Sequence, residues 1–245
     1  MEKFLFAMSL CVLIVQALPV FAETQGQVLM VVTSADRMAD GEPTGLWLEE
    51  FAVPYLLFQD AGFEVTVASP KGGKVPVDPR SLKEGERIFA WSKASVKLAE
   101  TLPLDQMQAQ NFKAVFLSGG HGTMFDFPQN APLKKLLYNF SADNKVIAAV
   151  CHGPAGLVGA KKADGTPLVA GKTLTAFTDA EEIAVALDKA VPFMLETKLR
   201  EEGAKFVVGE KWAAHTQVDG NLVTGQNPAS SEGAAKAVIR LLKGL

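Results

Sequence analysis

The sequence predicts a doubly wound α/β fold, a mostly parallel sheet with helices on both faces. Three observations carry that expectation. Short apolar runs recur at 27–34, 63–69, 113–120 and 145–151. They are nearly continuous rather than alternating, as strands covered on both faces must be. Segments with helical periodicity lie between them, and strands alternating with helices imply parallel pairing through crossovers. The composition agrees: the 245 residues are 48% hydrophobic and 21% charged, an ordinary globular balance with enough chain for a sizeable core.

The elements follow in order. QVLMVVTS (27–34) is the first strand. After a polar loop with Gly41 and Pro43, Thr44 is placed to cap a helix to about Asp60, with Leu48, Phe51, Tyr55 and Phe58 on one stripe. FEVTVAS (63–69) is the second strand, followed by a Pro- and Gly-rich loop to 81 and a mostly helical stretch to about Thr101. KAVFLSGG (113–120) is the third strand, and Pro132 opens a helix to about Ala142. KVIAAVC (145–151) is the fourth, with a helix expected from Gly153 to Ala160. After the extended run KTLTAFT (172–178) come two helical segments, the second with Pro192 in its first turn. KFVVG, WAAHTQVD and LVTG read as short strands with a hairpin at the sheet edge, and 228–243 as a terminal helix. No composition break or repeat divides residues 23–245, which are expected to form one domain.

Residues 1–22 read differently. Lys3, an apolar stretch, and the small residues Val20 and Ala22 flanking Phe21 match a cleaved secretory signal. The expected destination is the periplasm or the exterior, with no membrane attachment after cleavage. Cys11 would leave with the signal, so Cys151 would be the one thiol of the mature chain. A net charge of -3 supplies no basic field for nucleic acid. The three histidines and Cys151 show no metal-ligand spacing, so no metal is expected.

In doubly wound sheets, sites form beyond the carboxyl ends of the strands. The loops at 34–44, 118–126 and 150–154 are the candidates. In IAAVCHGPAG (147–156) an apolar strand runs into Cys151, then into a glycine and a predicted helix. A nucleophile on such an elbow stands above the sheet, with Gly153 admitting the sharp turn. The predicted helix terminus would favour a thiolate, and the His152 amide is placed to bind a developing oxyanion. LSGGHGTMFDFP (117–128) leaves another strand end, with Gly119 and Gly120 offering close backbone approach and amides. His121 either faces the site or only orders Asp126. In TGLWLEEF (44–51), Glu49 and Glu50 point about 100° apart on a helix, so at most one faces the sheet. A carboxyl pressed into an apolar cleft would have a raised pKa and could move protons. Periodicity does not choose between the two.

These segments together resemble the DJ-1/PfpI superfamily, in its chaperone and glyoxalase III branch, often labelled class I glutamine amidotransferase-like. TGLWLEEFAVPY, FEVTVASPKGG with PVDPRS, SGGHGTMFDFP, AAVCHGP and the FTDAEE–VPFMLE stretch carry the likeness over nearly all of residues 23–245. The resemblance implies a flavodoxin-like fold, often dimeric, that needs no cofactor. It puts the nucleophile on Cys151, the adjacent histidine on His152, the helix glutamate on Glu50 and the oxyanion-hole glycine on Gly120. It puts the acid that orients the histidine on Asp179, with Glu181 and Glu182 nearby. The implied activity is a D-lactate dehydratase (glyoxalase III) reaction on a small reactive carbonyl such as methylglyoxal. Amidotransfer needs a histidine and glutamate pair downstream of the cysteine, and no glutamate accompanies His215 at that spacing. A stress chaperone, a redox sensor, a cysteine peptidase and a deglycase are the other readings that the superfamily leaves open.

Overall fold

The apolar runs become strands of one seven-stranded sheet in the computed structural model, which describes Met1 and residues 24–84 and 87–245. The segment expected to be a secretory signal lies outside the described residues. The elements are β1 (Gln27–Val31), α1 (Leu48–Asp60), β2 (Glu64–Ser69), α2 (Arg87–Ala90), α3 (Ser92–Ser95), β3 (Leu102–Pro103), β4 (Ala114–Leu117), α4 (Thr123–Asp126), α5 (Ala131–Ala142) and β5 (Val146–Val150). Then come β6 (Thr173–Leu174), α6 (Asp179–Ala184), α7 (Leu195–Glu201), β7 (Lys205–Phe206), β8 (Thr216–Asp219), β9 (Leu222–Gly225) and α8 (Ser231–Lys243). The sheet order is β3-β2-β1-β4-β5-β9-β8. Neighbours pair parallel except the edge hairpin β8–β9. From β1 the chain winds outward to β3, then crosses back to β4 on the other side of β1. That reversal opens a crevice at the carboxyl ends of β1 and β4, where such folds bind ligands.

Side-chain alternation along the strands sorts the core into two layers. Leu29, Val31, Val115, Leu117, Ile147 and Ala149 face α5, through Leu133, Leu136, Leu137 and Phe140. Val28, Met30, Phe116, Ala148 and Val150 face α1 and α8, through Phe51, Tyr55, Phe58, Ala234 and Val238. The expected stripe on α1 is buried as read, with Leu48, Phe51, Tyr55 and Phe58 all in the core. The fold is the α/β, mostly parallel and flavodoxin-like architecture that the sequence implied.

Several local expectations are corrected. Thr44 does not cap α1: its hydroxyl donates to Asp78 Oδ2 at 3.0 Å, and Leu46 forms a bridge with Val77 before the helix starts. Tertiary pairing has displaced the local cap. The helix expected from Gly153 to Ala160 is a 3-10 turn over Gly153–Gly156. Pro192 precedes α7 rather than opening it. The stretch to Thr101 breaks into short turns, and Leu102–Pro103 adds an edge strand that the sequence did not announce. KFVVG leaves the main sheet: β7 pairs with β6 in a separate two-stranded sheet. Among the described residues no helix is long and apolar enough to cross a membrane.

Phe58 is fully buried against Phe116, edge to face, at a centroid distance of 5.7 Å. Phe58→Ala is expected to lower unfolding free energy by about 3–5 kcal/mol in denaturant titration, from lost transfer energy plus an unfilled cavity.

Candidate active site

β5 ends at Val150, and Cys151 follows with φ +58, a left-handed backbone that non-glycine residues rarely adopt. The turn has a geometric result. Continued alternation would send residue 151 to the α5 face with Ile147 and Ala149. The side chain instead joins the α1 layer, beside Val150 and the helix that bears Glu50. The Cys151 amide donates to Gly225 O at 2.9 Å, and its carbonyl accepts from Phe177 N at 2.9 Å, so the strained residue is pinned from both sides. A side chain at Gly153 would run into Leu117 O, which is why the elbow needs glycine there.

The thiol leads to a chain of hydrogen bonds. Cys151 Sγ lies 3.3 Å from His152 Nδ1, and His152 Nε2 donates to Glu182 Oε2 at 2.7 Å. The acid behind the histidine is therefore Glu182. The expected partner, Asp179, turns away and accepts from Thr197 on α7. The helix cap explains the difference. Thr178 and Glu181 form a capping box, each side chain bonding the other's amide. That fixes Asp179 at the first position of α6 and aims Glu182, three residues on, toward the elbow.

Glu182 holds a second histidine. His121 Nε2 donates to Glu182 Oε1 at 2.8 Å, and Arg80 Nη2 donates to His121 Nδ1 at 3.3 Å. Because arginine can only donate, His121 Nδ1 must be the bare nitrogen and Nε2 the N–H. His121 thus faces the site. Asp126 is ordered by other groups, Thr33 Oγ1 and the amides of Ser34 and Ala35. The two imidazoles pack at a centroid distance of 4.0 Å. Burial would raise the Glu182 pKa, but the two histidines outweigh it and hold the carboxyl well below its ordinary range. Burial, then the neighbouring His152, lowers His121 to about 4.

Glu50 is the member of the Glu49–Glu50 pair that faces inward, with 0% exposure. Its carboxyl lies against Gly119 and the Cys151 thiol, yet neither oxygen reaches hydrogen-bond geometry among the described residues. A side chain at Gly119 would occupy the space of Glu50 Oε2, so the first glycine of the pair makes room for the acid. Burial pushes Glu50 well above the usual carboxylate range. Burial and then the facing Glu50 push the Cys151 thiol upward too. Burial and the facing partner thus disfavour the charged form of each group. The sequence had suggested a thiolate favoured by a helix terminus. A four-residue 3-10 turn supplies little dipole, and burial sets the thiol's direction instead.

Cys151, His152, Gly120 and His121 open into one cavity of about 300 Å³. Arg80, Trp47, Phe177, Val185, Trp212 and Pro228 complete its lining. Among the described residues no hydrogen bond occupies the amides of Gly120 or His152, which leaves both available to an oxyanion. Arg80 and the aromatic wall were not read from the sequence, and Glu182 stood there only as a neighbour of the favoured Asp179. For Glu182 a signal exists, since the Thr178–Glu181 capping box removes Glu181 from contention and sets the helix phase. Arg80 and Trp212 reach the cavity only through tertiary contacts. His121, His152 and Glu182 also offer three ligand atoms within 4.8 Å of one another. A metal there would have to replace both carboxylate–histidine hydrogen bonds.

The profile of the DJ-1/PfpI family matches residues 44–241. A glutathione-independent glyoxalase (hsp3101) of Schizosaccharomyces pombe is 35% identical over 240 residues, spanning 91% of this chain and 98% of that protein. The crystal structure of glyoxalase III from Candida albicans superposes with a TM-score of 0.79 at 30% identity, covering 89% of this chain and 97% of that one. The Rapid Encystment Protein of Francisella tularensis superposes with a TM-score of 0.84 at 36% identity, covering 89% and 99%.

The lowered His121 has a consequence for stability. Below its ordinary pKa of 6.5 the unfolded chain takes up a proton that the folded chain refuses until about pH 4. Stability is therefore lost as pH falls through that window. Asp126, raised by burial from 3.8 to about 6, acts in the opposite sense over much of the same range. The informative quantity is the difference between proteins. Between pH 7 and about 4.5, His121→Gln is expected to lose about 2 kcal/mol less stability than wild type in denaturant titrations. Equal losses would show that His121 is not held neutral.

Proposed function

The chain belongs to the DJ-1/PfpI family, and from that membership we propose that it is a cofactor-independent glyoxalase III-type enzyme. The reaction adds water to a 2-oxoaldehyde such as methylglyoxal and yields a 2-hydroxy acid, the D-lactate dehydratase reaction run toward lactate. One observation carries this reading: the line from Cys151 through His152 to Glu182 at 3.3 and 2.7 Å, with Cys151 and His152 lining a cavity of about 300 Å³. The names of the yeast and Candida relatives support it.

Cys151 Sγ attacks the aldehyde carbon as His152 Nδ1 takes the thiol proton. Glu182 stabilises the imidazolium that forms. This general-base step offsets the burial that disfavours a free thiolate. The aldehyde oxygen becomes an oxyanion facing the Gly120 and His152 amides, and protonation gives a hemithioacetal. The hydrogen on that carbon then leaves as a proton while the adjacent ketone oxygen gains one, forming an enediol. Return of a proton to the second carbon leaves a thioester and a hydroxyl. The first carbon has been oxidised by the two electrons that reduce the second, so no external redox partner enters. Water cleaves the C–S bond, releasing the 2-hydroxy acid and restoring the thiol. Glu50, kept protonated by burial, is the proton source beside the sulfur, and His152 is the base. Arg80, a cation on the cavity lining, suits the anionic intermediate and the carboxylate product. The cavity's size fits a small carbonyl better than an extended peptide.

Cys151→Ala is expected to abolish methylglyoxal consumption, and retained turnover would end the proposal. Glu182→Ala is expected to lower kcat by about 10²–10⁴, whereas Asp179→Ala stays within about twofold of wild type. The reverse ranking would return the orienting role to Asp179.

A further inference from the structure

The cavity offers more apolar wall than methylglyoxal, whose substituent is one methyl group, can use. Its volume of about 300 Å³ equals that of roughly ten waters. Apart from Arg80 and the groups assigned to the reaction, its lining is Trp47, Phe177, Val185, Trp212 and Pro228, all apolar or aromatic. Two of these are large hydrophobic side chains left open to solvent: Trp212 is 48% exposed and Val185 40%. Exposed apolar groups at a cavity wall are groups a ligand can cover.

Trp212 is also held in place at a cost. Its φ is +67, a left-handed backbone unusual for a bulky residue. Its amide donates to Glu181 Oε1 at 2.9 Å, an oxygen that also accepts from Gln226 Nε2 and Asn227 Nδ2. The Trp212 ring lies 5.8 Å from Phe177, and Phe177 lies 4.4 Å from the His152 ring, measured between centroids. An aromatic series thus runs from the base toward the opening. Glu181 fixes its outer member while Glu182, the next residue, fixes the histidine.

We propose that this pocket selects 2-oxoaldehydes bearing a bulky apolar, aromatic substituent, and that Trp212 is a specificity-determining residue. The proposal rests on the glyoxalase reading above and adds the substrate class. An aryl group bound at this wall replaces water against Trp212 and Val185 and meets the rings edge-on or offset. The aldehyde end remains beside Cys151.

The test compares kcat/KM for methylglyoxal and phenylglyoxal in the full chain and in Trp212→Ala, Trp212→Phe and Val185→Asn, each checked for a cooperative thermal transition. The phenyl-to-methyl ratio is expected to favour phenylglyoxal in wild type and to fall by about tenfold or more in Trp212→Ala. Most of the loss should appear in KM for the aryl substrate. Trp212→Phe should restore the ratio to within about threefold of wild type. Val185→Asn, a polar group on the same wall, should also lower it, which keeps the test open if Trp212→Ala does not fold. Comparing ratios between proteins cancels the different intrinsic reactivities of the two aldehydes. Cys151-dependent methylglyoxal turnover with a ratio unmoved by these variants would overturn the aryl preference and leave the glyoxalase reading standing. Absence of turnover of both aldehydes would overturn the glyoxalase reading itself.

Discussion

Glu182 carries a negative charge in the interior, and much of the site is arranged to make that tolerable. A buried charge needs partners in good geometry. Here each carboxylate oxygen has one, His152 on the first and His121 on the second. His121 is in turn oriented by Arg80, Arg80 by Asp78, and Asp78 also accepts from Thr44. This polar line joins segments far apart in sequence: the approach to α1, the loop after β2, the loop after β4, the elbow after β5 and the start of α6. Apart from α6, these segments are loops and short turns at the site. The shared charge network fixes their mutual positions, and with them the direction in which His152 presents Nδ1 to the thiol.

The sulfur is governed by a second balance. The left-handed turn at Cys151 takes it from one core layer to the other, next to the buried Glu50 carboxyl and away from solvent, with 3% exposure. Burial disfavours charge on both Glu50 and Cys151. Charge on the sulfur is therefore disfavoured, and the basic group turned toward it is His152 Nδ1 at 3.3 Å. This differs from nucleophiles activated by a long helix terminus. The substitution follows from the chain: Gly153-Pro154-Ala155-Gly156 makes one 3-10 turn and stops.

One short helix does two jobs. In α6, Glu181 closes the capping box and clamps the Trp212 segment, while Glu182 anchors both histidines. The His152–Glu182 geometry and the apolar cavity wall are thereby set by adjacent residues of one helix.

The sequence by itself determined the architecture and the place of Cys151 at a strand end. Continuous apolar runs at 27–34, 113–120 and 145–151, separated by helical segments, are the pattern of a parallel sheet covered by helices on both faces, and an apolar strand ending in Cys-His-Gly marks an elbow. These are local patterns, and local patterns survive without knowledge of neighbours. The family resemblance put Glu50 and Gly120 beside the elbow, while His121 stood open between facing the site and ordering Asp126. Tertiary structure decided which of three neighbouring acids meets His152, because that depends on helix phase and on where α6 docks, with Asp179, Glu181 and Glu182 differing only in direction. It decided that Thr44 serves Asp78 rather than a helix cap, since a buried partner outcompetes a local amide. It also brought Arg80 and Trp212 to the cavity lining, from segments that meet only when the sheet is wound. Chemistry carried by one short motif was legible, and chemistry built from contacts across the fold was not.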